Sequence, residues 1–157
     1  MYKEALRAAW AEINLKNFDY NVKQIRAKMG NDREFIGVIK ADGYGHGAIQ
    51  CAEVLRENGV KTFAIATLQE AIELRNAGAG ERIICLGLTP DMYADTLIDY
   101  DIIPVICDSS NAKAISDAAT AKGKYVDCLI TVDTGMGRIG YLADDYNYAI
   151  EDIKKIA

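Results

Sequence analysis

Short apolar runs and amphipathic stretches alternate along most of the chain. The runs FIGVI, TFAIA, RIICLG, IIPVIC and YVDCLITV begin at positions 35, 62, 82, 102 and 125. Each is brief and carries few polar positions, the pattern of a strand buried on both faces. Between them, apolar residues recur at helical spacing: Ala48, Cys51, Ala52 and Leu55; Leu68, Ala71, Ile72 and Leu74; Ala112, Ile115, Ala118 and Ala119. Tyr146, Ala149, Ile150 and Ile153 form a further such face after the last run, and the stretch 92–99 carries the faintest helical pattern. Two elements lead in. Ala9 to Leu15 alternates enough to predict a short strand, and Phe18, Val22, Ile25 and Met29 mark one face of a helix that Gly30 stops before the polar turn Asn31, Asp32, Arg33. Gly59, Gly78 and Gly123 stand where helix C-caps are expected.

The runs lie too far apart for hairpins and suit a repeated strand, helix, parallel strand. Two architectures follow. An open doubly wound sheet is complete in 157 residues, whereas an eight-fold barrel takes about 250. No linker or low-complexity segment divides residues 1–157, which read as one domain.

Charge narrows the partners. The chain has 18 Lys and Arg against 23 Asp and Glu, a net charge of −5, so the basic field of a nucleic-acid binder is missing. No apolar run approaches the roughly 20 residues of a membrane span, and MYKEALRAAWAEINL lacks the layout of a secretory signal. A soluble cytoplasmic protein is the expectation. Cys51, Cys85, Cys107 and Cys128 have no CxxC spacing and are expected to be buried thiols.

Candidate chemistry collects at strand ends. In FIGVIKADGYGHGA, Lys40 closes the first run and Gly43, Gly45 and Gly47 lead into a helix; such C-terminal strand ends are where parallel α/β proteins gather catalytic groups. Partial desolvation there favours the neutral amine, a nucleophile toward carbonyls. The glycines let backbone approach an anion, and the Tyr44 hydroxyl can reach a phosphate. The lysine precedes the glycines, so neither a Walker loop nor a dinucleotide fingerprint is present. After the fifth run, TGMGRIG presents Arg138, a planar fork suited to a phenolate or carboxylate. His46 is the only histidine, which makes neither a metal site nor a triad; it is expected to support the lysine strand. Asp42 and Asp133 are turn residues that can orient neighbours.

The string VIKADGYGHGA resembles the pyridoxal-phosphate attachment segment of alanine racemases. AWAEINLKNFDYNV before it and VDTGMGRIG at 132–140 are similar to that family's other N-terminal landmarks, in the same order. The resemblance covers essentially the whole chain. It implies a (β/α)8 TIM-type barrel represented by about five βα units of eight, with an N-terminal strand and helix and no C-terminal domain. It implies that Lys40 carries pyridoxal 5'-phosphate and returns as one of two acid/base groups, that Tyr44 and Leu86 lie beside the cofactor, and that Arg138 contacts its ring oxygen and the substrate carboxylate. The implied reaction interconverts L- and D-alanine for the cell wall, in a cytoplasmic homodimer at full length.

Two departures stand out. Thr131 occupies the place of a lysine, often carbamylated, that many relatives carry. The sequence also reaches Ala157 without the later barrel loops or the opposite-face base, so an inactive chain is expected, with two open sheet edges and Val38, Ala64, Ile84 and Ile130 uncovered on the inner face. A single-domain pyridoxal-phosphate carrier and a ligand-free open-sheet scaffold are the alternative readings.

Overall fold

A computed structural model describes residues 9–30 and 32–156; Asn31 of the polar turn and the leading segment 1–8 lie outside the described residues. Five strands, β1 (Ile36–Val38), β2 (Thr62–Ile65), β3 (Arg82–Cys85), β4 (Ile103–Ile106) and β5 (Leu129–Ile130), pair in parallel in their order along the chain. A doubly wound sheet reverses its strand order at a switch point, and this one never does. The fold is therefore α/β with the sequential winding of a barrel, five strands of it. The open-sheet scaffold is set aside on this observation.

The helices are α1 (Leu15–Met29), α2 (Lys40–Gly45, a left-handed turn), α3 (Ala48–Glu57), α4 (Leu68–Asn76), α5 (Ala94–Asp99, after the 3-10 turn Asp91–Tyr93), α6 (Ser109–Ala121) and α7 (Tyr146–Ile153). Side chains set where most of them begin. Asn14, Thr67, Asp108 and Asp145 each accept a hydrogen bond from a first-turn amide, that of Asn17, Glu70, Asn111 and Tyr148 respectively. Gly59, Gly78 and Gly123 follow α3, α4 and α6 with positive φ, as the C-cap reading expected.

Alternation along the strands sorts residues to two faces. Phe63, Ile65, Ile83 and Ile106 pack outward against Leu55, Leu74, Leu97 and Ile115 in the main core. Full burial of such a side chain stabilises by about 1.5–3 kcal/mol each. On the other face Ala64, Ile84 and Ile103 form a small separate cluster, closed by Leu86.

Several expectations are corrected. Residues 9–14 form no strand, and Trp10 is 70% exposed: no described strand offers this segment a partner. The run at 125–132 yields only two residues of β5 because it pairs with β4 alone; Val132–Asp133 (β6) pairs instead with Tyr141–Leu142 (β7). FIGVI is not covered on both faces, since Ile36 and Val38 are exposed and only Gly37 between them is buried. Val38 and Ile130 are open on the inner face as expected, but Ala64 and Ile84 are buried, because the middle strands close on one another through Ile103 and Leu86. Of the four thiols, Cys51 and Cys85 are buried, Cys107 is half-buried and Cys128 is exposed. In α7 the buried residue is Asp152, while Tyr146 and Ile150 are exposed. Beside β1, an apolar cavity of about 520 Å³ opens between α1 and the sheet, lined by Phe18, Val22, Ile25, Ile36 and Val38 among others.

Candidate functional site

Lys40 lies just past the C-terminal end of β1 and is half-buried. Ile39 is pinned to the next strand, its amide donating to the Ala64 carbonyl at 3.0 Å. From Ala41 to Tyr44 the backbone then runs left-handed, with φ of 50°, 53°, 61° and 57°. Three of these four residues carry a Cβ, at a cost of roughly 1–2 kcal/mol each. Such a turn needs outside support.

The support is visible. The Gly43 amide donates to Ile39 O at 2.9 Å and the Gly47 amide to Asp42 O at 2.9 Å. The Asp42 carboxylate accepts from the Ala48 amide at 2.8 Å, tying the turn to the start of α3. His46 is exposed, and its Nδ1 lies 3.2 Å from the Tyr44 carbonyl. Glu70 of α4 completes the frame: Oε1 accepts from the Ala41 amide at 2.6 Å, and Oε2 from the amides of Ala66 at 2.8 Å and Thr67 at 3.1 Å. Sequence reading passed over Glu70. Its signal was there, because Thr67-Leu-Gln-Glu70 is a capping-box pattern, and the box is formed.

The result is a lysine amine facing a phenol. Lys40 Nζ lies 6.0 Å from the centroid of the Tyr44 ring, and Tyr44 is exposed. Both carboxylates of the turn are engaged by amides. Leu86 stands past the end of β3, its amide bonded to Ile65 O at 2.8 Å and its side chain against the inner cluster.

The second element is the loop between β6 and β7. One Asp133 oxygen accepts from the amides of Gly135 at 2.9 Å and Gly137 at 3.0 Å, and the other from Arg138 at 3.1 Å. The Gly137 and Gly135 amides, with that of Arg138, hold the Asp133 carboxyl below the usual carboxylate range. Gly140 closes the loop at φ 107°, where a Cβ would come within 2.8 Å of the Thr131 backbone. The Thr131 hydroxyl donates to Ile106 O at 2.9 Å and lies 3.4 Å from Cys107 Sγ. It serves the main chain.

Just beyond, Tyr141 donates to Asp152 at 2.9 Å, and the same buried carboxylate accepts from the Ser109 amide and hydroxyl and from Lys155. Hydrogen bonds from Lys155 and then Ser109 hold Asp152 well below its ordinary value, while burial, followed by the bond to Asp152, pushes the Tyr141 phenol up.

Lys40 and Tyr44 thus follow the C-terminal end of β1, and Leu86 that of β3, with β2 between them. Arg138 is exposed at the far side of the sheet, and no described carboxylate pairs with it. Four strand spacings separate β1 from β5, roughly 19 Å along a flat sheet and less along a curved one. The structure records no contact between Lys40 and Arg138. The donor set, an amine, a phenol and a guanidinium, is chemically suited to an anionic aldehyde such as pyridoxal phosphate. No group of three or more His, Cys, Asp or Glu among the described residues could hold a metal ion.

Comparison with known proteins gives a consistent result. The family model for the alanine racemase N-terminal domain matches residues 13–157. The alanine racemase of Clostridium kluyveri is 48% identical over 151 residues, which cover 96% of this chain and 38% of that protein. The alanine racemase of Clostridium difficile 630 in complex with cycloserine superposes with a TM-score of 0.86 at 35% identity, covering 94% of this chain and 41% of that one. The Bartonella henselae alanine racemase with covalently bound pyridoxal phosphate gives 0.77 at 26% identity, covering 91% and 41%. The chain spans about two fifths of the length of these relatives.

Proposed function

Since the chain belongs to the alanine racemase N-terminal domain family, we propose that it is the cofactor-bearing part of a pyridoxal-phosphate-dependent racemase that interconverts L- and D-alanine. The observation that carries this reading is Lys40 at the end of β1, on a braced left-handed turn, with Tyr44 beside its amine. When bound, pyridoxal phosphate supplies the electron sink that makes an amino acid's α-proton acidic.

The chain's own residues then divide the work. Lys40 would hold the cofactor through Nζ, and its amine would move the α-proton on one face of the substrate. Tyr44 offers its hydroxyl to the phosphate. Leu86 gives the ring an apolar flank. Arg138 presents its fork to the ring oxygen or the substrate carboxylate, provided that closure of the sheet brings β5 round toward β1. Racemisation also requires a base on the opposite face, which we assign to a part of the molecule outside these 157 residues. In this reading the protein works in the cytoplasm as a homodimer and supplies D-alanine for the cell wall, and these 157 residues are inactive by themselves.

The test is direct. The chain is incubated with pyridoxal phosphate, reduced with borohydride and mapped by mass spectrometry. In parallel, the matching segment of the Clostridium kluyveri alanine racemase is replaced by residues 13–157 and assayed for racemisation. Lys40 should carry the label and the chimera should racemise alanine. Label spread evenly over the lysines, with a folded but inactive chimera, would refute the reading.

A further inference from the structure

The left-handed turn poses a hydrogen-bonding question that β1 and its own loop do not answer. The Gly43, His46 and Gly47 amides find partners in the residues around them, namely the carbonyls of Ile39, Gly43 and Asp42. Ala41, the residue directly after the lysine, does not: its amide donates across to the next βα unit, to Glu70 Oε1 at 2.6 Å. Without that acceptor, the first amide of the turn would have no protein partner at the point where the backbone enters its costliest conformation.

Glu70 is itself held. Its second oxygen takes two further amides, those of Ala66 and Thr67, and its own amide donates to Thr67 Oγ1 at 3.3 Å. The carboxylate therefore straddles two neighbouring strand ends and has little freedom to follow one of them. Ala66 is in turn backed by the loop after β3, since a Cβ on Gly87 would stand 2.3 Å from the Ala66 carbonyl. The third strand's loop leaves no slack behind the second, and Glu70 passes that constraint to the first.

We propose that Glu70 is a positioning residue for Lys40: by accepting the Ala41 amide from a rigid bracket on β2 and α4, it fixes the backbone from which the lysine amine reaches its carbonyl partner. This rests on Lys40 being the cofactor lysine. Glu70 touches neither cofactor nor substrate and acts through the main chain. The neighbouring Glu73 provides a built-in control, because it carries the same charge on the same helix but, among the described residues, its carboxylate accepts only from Gln69, at 3.0 Å.

Two measurements on the chain test the proposal. The first needs no cofactor: amide hydrogen exchange at Ala41 should quicken on the order of tenfold or more in Glu70→Gln, where the charged acceptor is lost. The second is borohydride trapping with pyridoxal phosphate across a pH series, read as label on Lys40 relative to the other lysines of the same molecule. Glu70→Gln should lower that ratio by about tenfold or more and alter its pH profile, on the same order as the lost hydrogen bond, and Glu73→Gln should leave both unchanged. Should Glu70→Gln fail to fold, Glu70→Asp keeps the charge but is one methylene too short to span from Thr67 to Ala41, and the same loss is expected. Persistence of Ala41 protection and of Lys40 preference in the folded Glu70 variants would overturn the proposal. A lack of Lys40 preference in the unaltered chain would overturn the cofactor reading, and Glu70's positioning role with it, even where the Ala41 exchange result is as expected.

Discussion

Two arginines show how differently the ends of this sheet are built. At the N-terminal end of the strands, the half-buried Arg75 directs its guanidinium to four carbonyls, those of Tyr100, Ala79, Glu81 and Asp101, at 2.7–2.9 Å. It thereby ties the loops that feed β3 and β4, and its desolvation lowers its pKa from the usual arginine value. Arg56 and Glu81 add an ion pair at the same end. At the C-terminal end, Arg138 has its backbone fixed by Asp133 while its side chain is exposed and has no partner among the described residues. At the N-terminal end the cation itself holds the loops, whereas at the C-terminal end other groups hold them and the cationic side chains stay exposed or half-buried. Carboxylates accept main-chain amides beneath Lys40 and Arg138, leaving the cationic side chains available. This is the division expected of a barrel whose chemistry sits at the C-terminal strand ends.

Substitutions test this division of labour, and the largest effect belongs to Lys40. Lys40→Ala should abolish the borohydride-fixed cofactor adduct while leaving the melting temperature nearly unchanged; an adduct of undiminished yield at another lysine would mean that the C-terminal end is not specialised. Arg75→Ala should do the reverse. Stranding four carbonyls should cost roughly 3 kcal/mol, a fall of about 10 °C in melting temperature, with trapping at Lys40 retained below the new midpoint. Calorimetry and trapping on the same sample separate the two.

A smaller effect is expected at Arg138. Its replacement by alanine should weaken cofactor retention about tenfold without a change in melting, and Arg138→Lys should recover little because the fork is lost. Equal retention in all three proteins would leave this arginine a surface residue. The smallest effect concerns pH. The carboxyl of Asp152 is depressed in the folded chain, so its contribution is present above the unfolded value near pH 4 and is lost as pH falls through the folded value; the Tyr141 phenol is raised, so its contribution is present below about pH 10 and is lost as pH rises further. Stability should be flat between these limits, and Asp152→Asn should flatten the acid limb in thermal melts. An unchanged acid limb would show that this carboxylate does not do at the C-terminal end what Arg75 does at the other.

Much of the fold was legible because burial writes itself into strands. The apolar runs gave β2, β3 and β4 nearly to the residue, and glycines marked the ends of α3, α4 and α6. Legibility failed where tertiary context decides. An alternating segment such as 9–14 is a strand only if something pairs with it, and 125–132 shortens to Leu129–Ile130 because one neighbour cannot hold eight residues in register. The inner faces of β2 and β3 were expected to lie open, yet alanine at 64 is small enough for Ile84, Ile103 and Leu86 to close over it. At the candidate site, Lys40, Tyr44, Leu86 and Arg138 were picked out through a string of residues, and Asp42 and Asp133 were legible as turn residues that orient neighbours, whereas Glu70 was not. Ala41 and Tyr44 are not residues from which left-handed backbone is expected, and Glu70 looks like an ordinary helix cap until the fold brings Ala41 to it.

The reversed handedness of residues 41–44 has a consequence for the order in which the molecule assembles. Right-handed turns can form locally and early, since each L-residue favours them; a left-handed one is opposed at nearly every step and cannot nucleate from its own segment. It becomes favourable only when the second βα unit has docked and presents Glu70 and the Ala64 carbonyl. The lysine turn should therefore be among the last features to mature, with little of its structure present in the folding transition state. A chain that has not completed its neighbouring unit would present a flexible lysine with no preference over the rest, so that selective uptake of an aldehyde ligand at Lys40 reports that folding has finished.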